Sequence, residues 1–212
     1  MSLAASPLDI VMPVTLEGLV VRLEPVRREH AEIFWEVARD ALDDIFQWIP
    51  YRMKTREDFQ VLVEKAFAEQ ERGESVVFAT AERNSGRVIG STRFMNIDRM
   101  SRRMEIGSTW IAPAWQRTAV NTEAKYIMLR HAFEEWKCIR VELKTDALNH
   151  KSRNAILRIG AKEEGTLRRH VVTWTGRVRD SVYFSILDAE WPGVKRRLED
   201  KLAAKPALPS NG

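Results

Sequence analysis

Arg103-Met-Glu-Ile-Gly-Ser-Thr-Trp-Ile-Ala-Pro-Ala-Trp-Gln-Arg-Thr-Ala-Val-Asn-Thr-Glu-Ala124 is the stretch whose reading decides the fold. Arg103–Ile111 reads as a strand, with Glu105, Gly107 and Thr109 on one face and Met104, Ile106 and Trp110 on the other. From Thr122 to Trp136 the period changes. Tyr126, Met128, Leu129, Ala132, Phe133 and Trp136 fill an arc of about 160° at 100° per residue, opposite Glu123, Arg130, His131, Glu134 and Glu135, which makes a helix packed on a sheet. A strand that passes through a tight loop into a helix aims unpaired backbone N–H groups and the helix dipole at one spot, which binds phosphate without needing basic side chains. The loop end, Gln116-Arg117-Thr118-Ala119-Val120-Asn121-Thr122, adds small residues, two hydroxyls and one arginine.

Outward from this segment, Leu19–Val26 alternates as a first strand with Val21, Leu23 and Pro25 on one side. Helices are expected over Glu29–Ala41, through Ile33, Phe34 and Val37, and over Thr55–Arg72, where Thr55 and Asp58 approximate a capping box. The second of these presents Phe59, Leu62, Val63, Ala66 and Phe67, and an aromatic loop, Ile45–Tyr51, separates the two. Strands Ser75–Ala81 and Val88–Ile97 flank the hairpin turn Asn84-Ser85-Gly86 and continue into Arg103–Ile111 as an antiparallel meander. After the central helix come strand Cys138–Thr145, with Ile139, Val141 and Leu143 inward, and a short helix, Lys151–Ile159, stopped by Gly160. A hairpin, Glu164–Trp174 and Arg177–Ile186 about Thr175-Gly176, and a helix, Pro192–Ala203, complete the order. The implied class is α+β: a mixed central sheet of about seven strands with helices on both faces. A single domain over 15–202 is expected, with a loose lead-in at 1–14 and a disordered tail at 203–212.

The 212 residues suit one domain, and 44% apolar with 30% charged residues excludes disordered and low-complexity classes. The single cysteine, Cys138, forms no internal disulfide and is expected to be an inert buried thiol. There is no Cys/His cluster with zinc spacing, so no metal is implied, and no apolar run of membrane-spanning length; a cytoplasmic protein without membrane partners is expected. Net charge is +4, divided unevenly: residues 1–50 carry −5 and the remainder +9. A basic body suits a polyanionic ligand and an acidic end a cationic one. His30 and His131 read as surface residues, and Lys195-Arg-Arg197 as a solvated helix face.

The run 103–124 resembles the acyl-coenzyme A signature of the GNAT superfamily of N-acyltransferases and is most similar to its RimJ/RimL-like branch of ribosomal-protein N-terminal acetyltransferases. The family loop, Gln/Arg-x-x-Gly-x-Gly/Ala, corresponds to Gln116 through Asn121, followed by Thr-Glu-Ala. A second signature, Asn-x-x-Ser before a short helix ending in glycine, corresponds to Asn149, Ser152 and Gly160. The hairpin Leu167–His170, Gly176–Asp180 and Tyr183–Ser185 fits the same branch, so the likeness covers roughly residues 15–190. Ala119 stands where the family has glycine; if that position needs φ > 0, strain of roughly 1–2 kcal/mol results. Asn121 replaces Gly or Ala and reads as a helix cap.

The resemblance implies acetyl-CoA as co-substrate, no metal, and a primary-amine acceptor. Adjacent strands would splay so that pantetheine lies between them, Trp110 or Ile111 would polarise the thioester carbonyl through its N–H, and Gln116, Arg117, Thr118, Ala119, Val120, Asn121 and Thr122 would hold the pyrophosphate. Asn149 and Ser152 would contact the cofactor arm. Acyl transfer needs a base for the amine and an acid for the leaving thiolate. Glu105 is the base candidate, its alternative reading being a surface strand residue; Ser152 is the acid, or merely the helix cap, with Tyr183 the alternative acid. His170, flanked by Arg168 and Arg169, is a second base candidate and a contact for the acceptor, together with Trp48 and Tyr51 beside Asp43 and Asp44. The acceptor is a protein N-terminus or a small amine such as an antibiotic or polyamine. A non-catalytic acyl-CoA- or nucleic-acid-binding protein is the alternative class, disfavoured for nucleic acid because the arginines are dispersed. A homodimer is left open.

Overall fold

The structure is a computed structural model that describes Leu8 and residues 12–204. The chain folds as β1 (Leu16–Glu17), β2 (Val21–Pro25), α1 (His30–Ala38) with a 3-10 turn over Arg39–Ala41, α2 (Leu42–Phe46), α3 (Arg56–Glu71), β3 (Val76–Glu82), β4 (Val88–Asp98) and β5 (Arg103–Ile111). It continues as α4 (Val120–Arg130) with a π-turn over His131–Glu135, β6 (Arg140–Asp146), α5 (His150–Arg158), β7 (Lys162–Val172), β8 (Val178–Leu187) and α6 (Trp191–Ala203). The strands form one sheet ordered β1-β2-β3-β4-β5-β6-β8-β7. Neighbours are antiparallel except β5 and β6, which run parallel through the crossover helix α4. The α+β mixed sheet is as expected. It has eight strands rather than about seven, because β1 doubles back on β2 before the meander begins. The tail expected at 203–212 lies outside the described residues from 205 onward, whereas Leu8 is buried and exchanges hydrogen bonds with Arg99.

Strand alternation divides the core in two. Val76 and Phe78 of β3 join Phe94, Met104, Ile106, Val141 and Leu143 against α4, α5 and α6. Val77 and Ala79, one residue out of phase, join Phe34, Phe46, Phe59, Val63 and Trp110 against α1, α2 and α3. The start of α3 follows its local signal: the Asp58 carboxylate accepts the Thr55 N–H at 2.9 Å. Gly86, Gly160 and Gly176 take the positive φ their turns require. Differences from the sequence reading arise where tertiary contacts override pattern. The first part of the aromatic loop 45–51 is helical, since Phe46 in α2 packs on Phe59 and Trp110. Ile139 is 42% exposed because β6 starts at Arg140, two residues after the expected Cys138. His30 is fully buried: its Nδ1 accepts the Arg27 N–H at 2.9 Å, and desolvation together with Arg27 lowers its pKa.

Glu123 is the largest departure. Assigned by pattern to the polar side of the central helix, it is buried, and its carboxylate accepts the N–H groups of Leu19, Val20 and Val21 at 2.8, 2.7 and 2.9 Å. The turn between β1 and β2 is thereby tied to the first turns of α4. Gly18 is needed for the close approach, since a Cβ there would sit 2.4 Å from Glu123 Oε2. Replacement Glu123→Ala is expected to destabilise the fold by about 2–3 kcal/mol and Gly18→Ala by about 1–3 kcal/mol in urea unfolding, with unchanged midpoints arguing against the clasp.

Candidate active site

The seam between β5 and β6 is the centre of the site. The two strands pair over only three positions, Arg103 with Arg140, Met104 with Val141 and Glu105 with Glu142. Beyond these, β6 stays with β8 as far as Asp146, while β5 stays with β4. The cause lies in β5. Ser91 faces Trp110 and Arg93 faces Gly107, so Ser108 and Thr109 together oppose Thr92, and Ser108 adopts φ 46°. This is a β-bulge, which bends a strand and re-aims the residues beyond it.

The bulge corrects the expected faces of β5. Trp110 does not share a face with Met104 and Ile106; it packs with Phe34, Phe46 and Phe59 on the opposite side. Thr109 does not share the face of Glu105 but points toward α4, onto Lys125. The bulge also selects between the two backbone candidates. Ala112 N–H bonds Ile89 O at 2.8 Å, so by antiparallel alternation the Ile111 N–H and C=O turn to the edge facing β6, while those of Trp110 turn to β4. The Ile111 carbonyl receives the Gln116 side-chain amide at 3.0 Å, and Lys151 of α5 contacts the Gln116 oxygen across the mouth of the seam.

At this mouth α4 begins at Val120, two residues before the expected Thr122. Its N-cap position is Ala119, with no side-chain cap, and Asn121 lies inside the first turn instead of capping it. The ladder opens with Glu123 N–H to Ala119 O at 2.9 Å, so the N–H groups of Val120, Asn121 and Thr122 precede it; the Thr118 hydroxyl approaches the Val120 N–H at 3.3 Å. The Asn121 side-chain oxygen is buried without a protein partner, and an amide can exchange oxygen for nitrogen by a half-turn. An uncapped helix start beside an unsatisfied amide fits an anionic group. Ala119 is unstrained at φ −69°; the left-handed residue of the loop is Arg117, at φ 63°, with its side chain exposed.

The second half of the site is the sheet face that carries the alternate residues of β5, β6 and β8. Glu105 is buried there, not on the surface, and its Oε2 accepts from Asn96 at 2.8 Å and Lys144 at 3.0 Å. Lys144 Nζ stands 5.7 Å from the Tyr183 ring centroid. Tyr183 in turn meets the exposed His170, whose Nδ1 lies 3.0 Å from Ser181 Oγ. Buried Asp146 accepts from Arg177, and the buried Arg179 donates to Trp48 O at 3.4 Å; burial pulls Arg179 below the usual guanidinium range. Trp48 also lies 5.7 Å from the Arg177 guanidinium, while Tyr51 packs into the aromatic cluster. Trp174 N–H bonds Pro50 O at 2.9 Å, closing a strap from the 45–51 segment to the hairpin tip. A cavity of about 330 Å³ lies beneath it, with Phe46, Ile49 and Met53 as apolar lining and Asp43, Lys54 and Arg177 as charged lining.

At α5, Asn149 is the cap, its Oδ1 accepting the Ser152 N–H at 2.9 Å. Ser152 is therefore not the cap, and its hydroxyl is left for another role. Sequence reasoning missed Lys144, Lys151, Asp146 and Lys125, since contacts between separate elements have no fixed spacing. Lys125 is buried with hydroxyl partners, and desolvation lowers its pKa to about 7. Cys138 is buried with its thiol pushed up to about 12, and among the described residues no cluster of His, Cys, Asp or Glu could hold a metal. No helix among these residues is long and apolar enough to cross a membrane.

A parted parallel seam, an uncapped helix start at its mouth and a charged sheet face alongside make a groove with the shape and polarity to take an extended anionic ligand. Residues 21–162 match the acetyltransferase (GNAT) domain, and the chain belongs to that family, whose members use acetyl-CoA. It is 36% identical over 110 residues to the Bacillus subtilis (strain 168) protein named "Putative ribosomal N-acetyltransferase YdaF", a match that takes in 52% of this chain and spans 59% of that relative's length. Among solved structures it is similar to a GCN5-related N-acetyltransferase from Brucella melitensis, 31% identical with TM-score 0.83 over 94% of this chain and 90% of that one. Mycobacterium smegmatis RimJ in complex with CoA-disulfide shares the fold, at 24% identity and TM-score 0.76 over 93% of this chain and 97% of that one.

The loop and the helix each yield a measurable outcome. Because Ala119 is helical, Ala119→Gly is expected to leave CoA affinity within about twofold and to cost about 0.5–1 kcal/mol of stability, measured by calorimetry and urea unfolding. For Lys125, the folded-state pKa near 7 lies below the ordinary 10.5. The unfolded chain therefore binds more protons between these values, and the protein loses stability as pH falls from 10.5 to 7, with no further loss from this group below. Lys125→Met is expected to raise Tm at pH 6–7 and to lose that advantage as pH approaches 10.5; a pH-independent difference would contradict it.

Proposed function

We propose that the protein transfers an acetyl group from acetyl-CoA directly to a primary amine, in a complex holding both substrates, and that the amine is a protein N-terminus. The carrying observation is the β5–β6 seam, open beyond Glu105 and ending at the uncapped start of α4. When bound, acetyl-CoA supplies an acyl group on a thiol leaving group. Residues 116–122 hold its pyrophosphate through backbone N–H groups, with Lys151 and Arg117 as nearby cations. The Ile111 N–H, facing the seam, polarises the acyl carbonyl. Asn149 and Ser152 border the arm from the other side.

Glu105 stands at the last paired position of the seam, on the acceptor face. Asn96 and Lys144 hold its Oε2, leaving Oε1 to take a proton from the acceptor's ammonium, so that the free amine can attack. As nitrogen bonds to the acyl carbon, the carbon–sulfur bond breaks and its electron pair leaves on sulfur, which takes a proton from the Ser152 hydroxyl, while the second proton shed by the nitrogen passes through solvent to restore that hydroxyl; Tyr183, paired with Lys144 across β6 and β8, is the other acid within the site. Trp48, His170 and the strap at Pro50–Trp174 border the acceptor. The name of the Bacillus subtilis relative favours a ribosomal-protein N-terminus, and the partly apolar cavity between α2 and the hairpin tip favours an acceptor with a side chain beside its amine.

Thiol release from acetyl-CoA, measured with peptides bearing free N-termini and with small amines, tests this reading. Peptides are expected to turn over fastest; a small amine ahead of every peptide shifts the acceptor, and tight CoA binding with no turnover anywhere favours a non-catalytic acyl-CoA protein. Glu105→Gln is expected to lower kcat by about 100-fold or more and Ser152→Ala by about tenfold. An intact kcat and pH profile in Glu105→Gln removes Glu105 from the chemistry, and a larger loss in Tyr183→Phe than in Ser152→Ala reassigns the acid.

A further inference from the structure

Lys125 is the sixth residue of α4, and only 6% of it is exposed. Its ammonium forms no ion pair among the described residues. It donates to the Thr109 hydroxyl at 2.6 Å and to the Thr92 hydroxyl at 3.1 Å, and those two hydroxyls lie 2.8 Å apart. The three groups thus form a triangle, and the triangle stands on the bulge itself, where Ser108 and Thr109 oppose Thr92. An interior ammonium held by hydroxyls alone is a poor choice for packing, because methionine has similar length and no charge to desolvate. Such local violations gather where geometry must be held for function.

The bulge determines which residue of β5 offers its N–H to the seam. Were β5 regular from Gly107 onward, Trp110 would fall on the α4 side of the sheet and the alternation of N–H groups would invert by one residue. We propose that Lys125 is a positioning residue for acyl transfer: its side-chain nitrogen pins the Ser108–Thr109 bulge to β4 and to the helix whose start receives the carrier, and so sets the Ile111 N–H against the acyl carbonyl. Lys125 touches neither substrate. The inference rests on the function proposed above, since the carbonyl it serves belongs to that reading.

Its test uses the full chain as wild type and as Lys125→Met, Thr109→Val and Thr109→Ser. Three quantities are read: CoA affinity by calorimetry, kcat and KM with the best amine from the panel, and backbone hydrogen exchange over 106–112. Lys125→Met and Thr109→Val are expected to bind CoA within about threefold of wild type, to lose about tenfold in kcat with little change in KM, and to exchange faster over 106–112, whereas Thr109→Ser keeps all three because its hydroxyl remains. Wild-type kcat in Lys125→Met, or equal losses in Thr109→Val and Thr109→Ser, overturns the proposal. If Lys125→Met fails to fold, the Thr109 pair decides. If the wild type binds no CoA or acetylates nothing, the functional reading fails separately, and unchanged exchange in Lys125→Met still refutes the pin.

Discussion

Two parallel strands in the middle of an eight-stranded sheet hydrogen-bond over three positions and then separate, and this parting is the constraint on which the rest of the protein turns. A central strand with unpaired N–H and C=O groups is costly unless something else satisfies them. The chain supports the separation from both sides. On one side, β6 is held by β8 over all seven of its residues. On the other, β5 is held to β4 through a bulge, so that Ile111 keeps an open edge while Trp110 is committed to the aromatic cluster. Residues 21–162, which match the acetyltransferase (GNAT) domain, include the whole of this opening, and the function proposed above places the acyl carrier there.

The charged groups respect this division. On the face of Glu105, buried carboxylates are matched: Glu105 with Lys144 and Asn96, and Asp146 with Arg177. Pairs of this kind seldom add net stability, because desolvation offsets most of the attraction. Their value is to hold side chains of both signs in fixed places beside the seam. On the opposite face Lys125 has only hydroxyl partners, at the bulge that shapes the opening. The two apolar clusters on either side of the sheet carry the stability.

The start of α4 shows how an absent cap can be informative. The residue at the N-cap, alanine, has no side chain that could accept from the first-turn N–H groups, and Asn121 in that turn has a buried side-chain oxygen without a partner. The helix is anchored instead from behind, by the Glu123 carboxylate on the turn between β1 and β2. Its start is tied down from behind and carries no side-chain cap from the N-cap residue, an arrangement that suits an anionic ligand.

The sequence by itself determined the element order apart from β1 and α2, the meander, the hairpin turns, and the switch from period two to period 3.6 after Ile111. These are local matters: apolar spacing, glycine at turns and a capping carboxylate act within a few residues. Only the tertiary structure decided the bulge at Ser108, the exchange of faces by Thr109 and Trp110, and the choice of Ile111 at the open edge. It also decided the burial of His30, Glu105, Glu123 and Lys125, each of which pattern alone left on a polar surface or passed over. A carboxylate or ammonium reads as solvent-exposed until the partner that desolvates and satisfies it is known, and here those partners lie on other strands and turns, as many as 104 residues away.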